Sequence, residues 1–508
     1  MSRLLIGVDI GTSGTKTIIM NEKGDVLRSK TVEYDTIVLK PGWSEMRAET
    51  WWEATVETLG HVLDGIDKSK LAGLSFSGQM HGMVAMDENM QVVRPAILWN
   101  DGRNQAQCDE ITAIAGGLEG LLKYTNNKML AGYTGGKILW MKQNEPENYA
   151  KTKLVLNPKD YIRYMLTGDA ATEASDASGT GLFDVKNRRF CWELIDKVGL
   201  ERSLFPKCFE SSDITGAISA KAAELTGLPQ GLPVVGGGGD AVIQTTGTGL
   251  VKQGVLGIVL GTSGVAAMGL DSFFENDGSL QLFCNNAKDL WHAMGITMSA
   301  GGSYKWFKDT FCQEEAREAA EKGANVYDLI NAKAETAPAG CEGLFFLPHI
   351  NGSRCPYSDP NARGTFVGIS QRTDKGAMAR SVMEGVAYSS REISELIFAM
   401  DESIVPSKII ASGGGASSPL WRQIISDIFN LPVYTLSGSS EGGAYAAALV
   451  AGVGVGVFRD LEDAIKVLKE ESLTLPREKE AATYEKSYQV YKSLYPALKS
   501  AFDSIAEL

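Results

Sequence analysis

The stretch GVDIGTSGTK, residues 7–16, is the part of the sequence on which the fold turns. It runs as an apolar strand, places a carboxylate at Asp9 and breaks at Gly11, Thr12 and Ser13 before a second strand-like run, KTIIM. The core of the motif recurs as VLGTSG, residues 259–264, followed by VAAMGLD and lacking the acid. Glycine permits backbone conformations in which successive N–H groups point into one concavity, and Thr and Ser hydroxyls add neutral donors, a combination that suits phosphate oxygens. A single Gly-Thr-Ser turn is more often a plain hairpin connection. Two copies in matching strand–turn–strand contexts, one in each half, weigh towards a phosphate role for both.

At 508 residues the chain exceeds what one hydrophobic core usually supports, so two large domains are expected. Hydrophobic residues make up 44% and charged residues 22%, the composition of a folded globular protein. A formal net charge of -13 opposes a nucleic-acid partner, while a small anion held by local backbone N–H groups remains open. The seven cysteines are scattered and form no Cys-x-x-Cys pair, which argues for buried reduced thiols over a disulfide framework or a zinc site. Asp9 arrives before any signal-peptide core can form, and the longest apolar run, YAAALVAGVGVGVF (445–458), is too short and glycine-broken to span a bilayer. The expectation is a cytoplasmic protein without a membrane partner.

Short apolar strands ending in polar loops, LAGLSFSG into QMHG and RPAILWN into DGR, alternate with helical patterns. This is an α/β class, in which functional groups collect where strands end. The segment from Ser44 to Ile66 reads as a helix with Trp52, Val56, Leu59 and Leu63 on its buried face. The glycine-rich GLPVVGGGGDAVIQTTGTGLVKQG marks the junction between halves near residue 245, giving domains 1–245 and 246–508. In the tail, Tyr484, Tyr488, Tyr491 and Leu494 share one helical face and predict a packing helix.

Two further constellations carry chemistry. VVGGGGDAV delivers Asp240 after an apolar strand and four glycines; the run admits a bulky ligand, and the carboxylate is placed either to accept a hydroxyl proton or to cap the following helix. IIASGGGASSPLWRQIISDIFN combines a strand, a turn at Gly413, Gly414 and Gly415 against which a base or ribose can lie, and a helix with Leu420, Ile424, Ile425 and Ile428 on its apolar side. There is no G-x-x-x-x-G-K-[ST], since Lys16 follows Thr15, and no strand-borne G-x-G-x-x-G. GSSEG, 438–442, matches a nucleophile elbow, but all four histidines lie upstream of it, so the Ser, acid, His order fails.

The succession of an Asp-bearing GTSG hairpin, GQMHG, LWNDGR, GGGGD, a second GTSG and GGGASS resembles the FGGY carbohydrate kinases, and within them the xylulokinase branch. GYTGGKILWMKQN (132–144) fits the first signature of that family, and the segment from Glu342 to Ser370 resembles its second-half counterpart, so the similarity covers nearly the whole chain. The resemblance implies two duplicated ribonuclease H-like domains of the actin-like ATPase architecture flanking a cleft. It further implies ATP-dependent phosphorylation of a sugar hydroxyl, for that branch on C5 of D-xylulose. Residue by residue, it makes Asp240 the catalytic base and a sugar contact, and Asp9 the acid that positions Mg2+. Met80 and His81 become sugar contacts. Gly11, Thr12, Ser13, Lys16, Gly261, Thr262, Ser263, Gly414 and Gly415 become ATP-binding.

The asymmetry between the turns follows from this chemistry, because phosphoryl transfer asks for positioning and charge neutralisation, and one metal-side carboxylate suffices. His61 and His292 read as structural, Lys137 and Trp140 as packing or cleft-lining, and Asp101 with Arg103 as either an ion pair or substrate contacts. The sequence departs from the branch at Ala241, where Asn is usual, and at GSRCP (352–356), with Ser353 and Cys355 substituted. A lost hydrogen bond in a buried sugar site costs on the order of 1–3 kcal/mol, enough to change substrate preference. A kinase for another ketopentose, ketohexose or polyol, and a non-catalytic ATP-dependent sugar sensor, are therefore the alternatives. A homodimer stays open.

Overall fold

The computed structural model describes residues 3–438 and 441–508, which form two compact units. The first comprises residues up to 252, 269–292 and 438–468; the second comprises 253–268, 293–437 and 469–508. Ser439 and Ser440 of the elbow-like GSSEG lie outside the described residues.

In the first unit, the strand Leu4–Ile10 pairs antiparallel with Gly14–Asn21, which pairs with Val26–Glu33. On its other side it runs parallel to Leu71–Gly78, and the sheet continues through Pro233–Val235 to Ile214–Ala217. The apolar run Leu4–Ile10 is buried on both faces, as a parallel centre strand requires. One face is covered by the helix Gly442–Gly454, whose buried alanines let backbone approach backbone. At Gly7 a Cβ would collide with the carbonyl of Ala444 and come within 2.8 Å of Ala448 N, so only glycine fits. The other face carries the helix Ala48–Leu63. Its buried residues are Ala48, Trp51, Ala54, Thr55, Thr58, Leu59, Val62 and Leu63. Leu59 and Leu63 of the expected stripe are thus buried, but in the first half of the helix Trp51 is the anchor, while Trp52 and Val56 are only partly buried.

The second unit repeats the arrangement. The strand Val255–Leu260 pairs antiparallel with Gly264–Leu270 and parallel with Lys408–Ser412, which runs parallel to Val433–Leu436. The long helix Lys375–Phe398 receives the C-terminal helix Glu478–Ala506, where Tyr484, Tyr488 and Tyr491 pack on Tyr388. Tyr495, not Leu494, completes that stripe. In the helix Pro419–Phe429 the buried face is led by Trp421, whereas Leu420 is only partly buried.

The two GTSG turns differ by one residue. In the first, Gly11 N–H donates to Gly14 O at 2.9 Å, leaving Thr12 and Ser13 as a two-residue tip. In the second, Leu260 is already opposite Gly264, so Gly261, Thr262 and Ser263 form a three-residue tip.

Candidate active site

Three neighbouring strand ends assemble the site of the first unit. Parallel pairing puts Asp9 beside Ser77, and Ser77 beside Gly238, two residues before Asp240. The Gln79 side chain donates to Gly11 O at 3.0 Å and its N–H to Ile10 O at 2.9 Å, so the loop after Leu71–Gly78 is tied to the first turn. Thr12 and Ser13 project at the surface, and Thr12 Oγ1 accepts from Trp99 Nε1 at 2.9 Å. Lys16 forms an ion pair with Glu441 at 2.6 Å.

Asp9 keeps part of its side chain exposed, but its Oδ1 is buried, with only the Ser77 hydroxyl beside the carboxylate. Burial pushes its proton affinity up, against the Ser77 hydroxyl and the Lys16 charge, which pull it down. A Cβ on Gly443 would lie 2.8 Å from Asp9 Oδ1, so glycine keeps the carboxylate's surroundings open. A buried carboxylate oxygen approached only by the Ser77 hydroxyl fits a divalent cation. Among the described residues no three His, Cys, Asp or Glu side chains gather to cage one, so Asp9 fits as a lone anchor for an ion that keeps water and phosphate ligands.

Asp240 opens the helix Asp240–Thr246 in its first turn; the N-cap is Gly239, so the capping role weighed for Asp240 is not taken. Its Oδ1 accepts from Ala241 N–H at 2.8 Å and from Met80 N–H at 3.4 Å. Burial, then repulsion from Asp9, raises its pKa to about 7. The four preceding glycines do not open a space for ligand: a Cβ would strike Phe76 O at Gly237, Asn286 at Gly238, and Met80 Cγ at 2.5 Å at Gly239. They serve close packing of this segment against its own unit.

Met80 is 2% exposed and fills the space over Gly239. His81 is half-buried, with φ of 69°; its Nδ1 lies 2.6 Å from Gly179 O, and its ring stacks on Tyr133 at 4.6 Å. A carbonyl only accepts, so Nδ1 carries a proton. Lys137 is fully buried; its Nζ donates to His81 O at 2.7 Å and Gly132 O at 2.6 Å, and burial lowers its pKa to about 7. Asp101 and Arg103 form a buried two-point ion pair (2.9 and 2.6 Å), with Glu45 at 2.7 Å from Arg103. Trp140 packs with Trp43 and lies under Arg103. His292 is buried and held neutral, its pKa down to about 4, and His61 is exposed.

The second unit has its own pocket, about 490 Å³, at the ends of Val255–Leu260 and Lys408–Ser412. Gly261, Thr262, Gly414 and Gly415 line it; Ser263 is exposed beside them, outside the lining. Gly414 has open space where a Cβ would be, whereas Gly413, with φ of 83°, has that space filled by the Leu260 backbone. The sequence reading missed the pocket walls: Tyr304, Lys305, Tyr327, Asn331 and Trp421. Their signal lay in SYKW directly after a strand and glycine pair, and in the Trp that follows GGGASSPL. Asn331 Oδ1 accepts from Tyr304 Oη at 2.8 Å. Where Asp9 faces Ser77, the register here places Val259 opposite Ser412. The second turn's carbonyls are taken by the start of the helix Gly301–Phe311: Gly301 N–H donates to Gly261 O at 2.8 Å.

The chain is 37% identical over 499 residues to the xylulose kinase of Lactococcus lactis, covering 97% of this chain and 96% of that protein. The crystal structure of a xylulose kinase from Rhodospirillum rubrum superposes with a TM-score of 0.91 at 27% identity, over 99% of this chain and 100% of that one. A gluconate kinase from Lactobacillus acidophilus gives a TM-score of 0.91 at 26% identity, with the same coverage. Residues 4–247 match the N-terminal domain of the FGGY family of carbohydrate kinases, and residues 256–455 its C-terminal domain. With a ribonuclease H-like sheet in each half and both matches in order, the chain belongs to the FGGY family of carbohydrate kinases.

Proposed function

We propose that this carbohydrate kinase transfers the γ-phosphoryl group of ATP to a hydroxyl of D-xylulose, giving D-xylulose 5-phosphate and ADP, with Asp240 as general base. The observation that carries this is the Asp240 carboxylate: half-buried at the start of the helix Asp240–Thr246, accepting from the Met80 N–H, with a pKa of about 7. A base poised near neutrality accepts the hydroxyl proton as the oxygen attacks phosphorus and ADP leaves.

The division of labour follows the two sites. Residues 1–245 hold the sugar and the first phosphate turn, with Met80 and His81 on the sugar. His81 Nδ1–H is committed to Gly179, so in the neutral ring Nε2 accepts, and a sugar hydroxyl is a fitting donor. Residues 246–508 hold ATP, its base and ribose against Gly414 and Gly415 and its phosphates towards Gly261, Thr262 and Ser263. Gly11, Thr12, Ser13 and Lys16 contribute donors from the first turn. Asp9 would hold Mg2+, which when bound neutralises phosphate charge. The family's use of ATP and the family relatives named xylulose kinase support this reading.

Ala241 favours a second reading of the acceptor, because its methyl group offers no hydrogen bond to a sugar hydroxyl. Another ketopentose, a ketohexose, a polyol or gluconate is then the better substrate. Coupled ADP release at fixed Mg-ATP over these acceptors tests both. D-xylulose is expected to give the highest kcat/KM, and a tenfold or greater preference for another acceptor would replace it.

A further inference from the structure

Lys137 is a basic side chain with no exposure and, among the described residues, no carboxylate at hydrogen-bond distance; its donors go to two main-chain carbonyls, His81 O at 2.7 Å and Gly132 O at 2.6 Å. Burying an ammonium is expensive, and an apolar side chain of similar length would fill the same volume without that cost. What the cation gains is geometric. His81 sits at a φ of 69°, in the left-handed region that a histidine seldom adopts, and its carbonyl is turned into the interior, where it needs a donor. Gly132 immediately precedes Tyr133, whose ring stacks on that of His81 with centroids 4.6 Å apart. One ammonium therefore fixes the backbone behind both members of the stacked pair.

The same loop reaches the base, through Met80 N–H on Asp240 Oδ1, and the first turn, through Gln79 on Gly11 O. A shift at residue 81 is thus felt by both.

We propose that Lys137 is a positioning residue for sugar binding: it clamps His81 and Gly132 so that the His81–Tyr133 pair faces the acceptor, and it touches no substrate itself. This rests on the assignment of Met80 and His81 to the sugar. Neutral or charged, a lysine amine keeps at least two N–H donors, so the clamp persists across the pH range in which Asp240 titrates.

The test is steady-state kinetics of full-length Lys137→Met, His81→Ala and the double variant with D-xylulose and ATP. Lys137→Met is expected to raise the sugar KM by about 10-fold or more while the ATP KM stays within about twofold. The double variant should be little worse than His81→Ala alone, because both changes remove one unit. Lys137→Arg, which keeps donors, should recover part of the loss. A sugar KM within about twofold of wild type in Lys137→Met, equal losses for sugar and ATP, or additive effects in the double variant overturns the clamp. If Lys137→Met does not fold, Lys137→Gln carries the same test with its two N–H donors on a shorter arm, and an unchanged sugar KM there is equally fatal. His81→Ala separates the two layers: no change in sugar KM overturns the sugar-site assignment, whereas a His81 effect without a Lys137 effect overturns only the clamp.

Discussion

Asp240 enters the first turn of its helix half-buried, and its proton affinity rises to about 7 because burial penalises the anion and Asp9 repels it. On the proposed assignment the carboxylate must be ionised to work, so kcat/KM should climb about tenfold per pH unit below pH 7 and level off above it, as a pH–rate profile will show. Asp240→Asn is expected to lower kcat by about 10²–10⁴-fold while ADP affinity, read by calorimetry, stays within about twofold. The same shift has a cost in stability. An unfolded aspartate ionises near its ordinary value of 3.8, so a group held near 7 in the folded state subtracts stability as pH rises from about 4 through about 7. Asp240→Asn removes that penalty. Its Tm advantage over wild type should therefore grow from pH 4 to pH 8, a pattern that scanning calorimetry at the two pH values would confirm or refute.

At the scale of elements, helical spacing correctly announced the helix Ala48–Leu63 but pointed to the wrong tryptophan. Both indoles satisfy an apolar pattern, and only the angle at which the helix meets its sheet places Trp51 in the core. Trp51→Ala should cost about 3–5 kcal/mol in urea unfolding, and Trp52→Ala markedly less. The GGG turn divides in the same way. Gly414→Ala projects a methyl group into open pocket and should weaken ADP binding at unchanged Tm. Gly415→Ala would press on Leu260 Cβ at 2.8 Å and Trp421 at 3.1 Å, and should lower the Tm as well. The segment around GSRCP also has a local role. Ser353 exchanges backbone hydrogen bonds with Asp359, whose carboxylate accepts from Tyr495 Oη at 2.7 Å, and Tyr357 stacks on Tyr495 at 3.6 Å. The segment is therefore a turn clamped to the C-terminal helix within its own unit.

For the whole molecule, the chain leaves the first unit, returns to it at 269–292 and again at 438–468, and ends in the second. No single cut in the sequence yields these units, because the helix Gly442–Gly454 that covers the first sheet comes from the far end of the chain. Among the described residues no helix is long and apolar enough to cross a membrane, and the apolar run that invited the question is that covering helix. Ligands should report on the two sites separately. In hydrogen exchange, ADP alone is expected to protect 260–262, 301–305, 325–331 and 414–421, and D-xylulose alone 79–81, 132–137, 179 and 240. Protection by ADP confined to the first unit would overturn the assignment of the pocket.

The sequence by itself determined the α/β class, the two hairpin turns, the acid at Asp9 and the place of Asp240 after its glycine run, because strand periodicity, glycine turns and the residues at strand ends are local features that survive without knowledge of packing. Tertiary structure alone decided that the four glycines before Asp240 are filled by the protein, that Glu45 joins the Asp101–Arg103 pair, that Lys137 gives its donors to two carbonyls, and that Tyr304, Tyr327 and Trp421 wall the pocket. Each of these depends on which distant segment fills the space beside a side chain. Spacing along the chain carries no information about that.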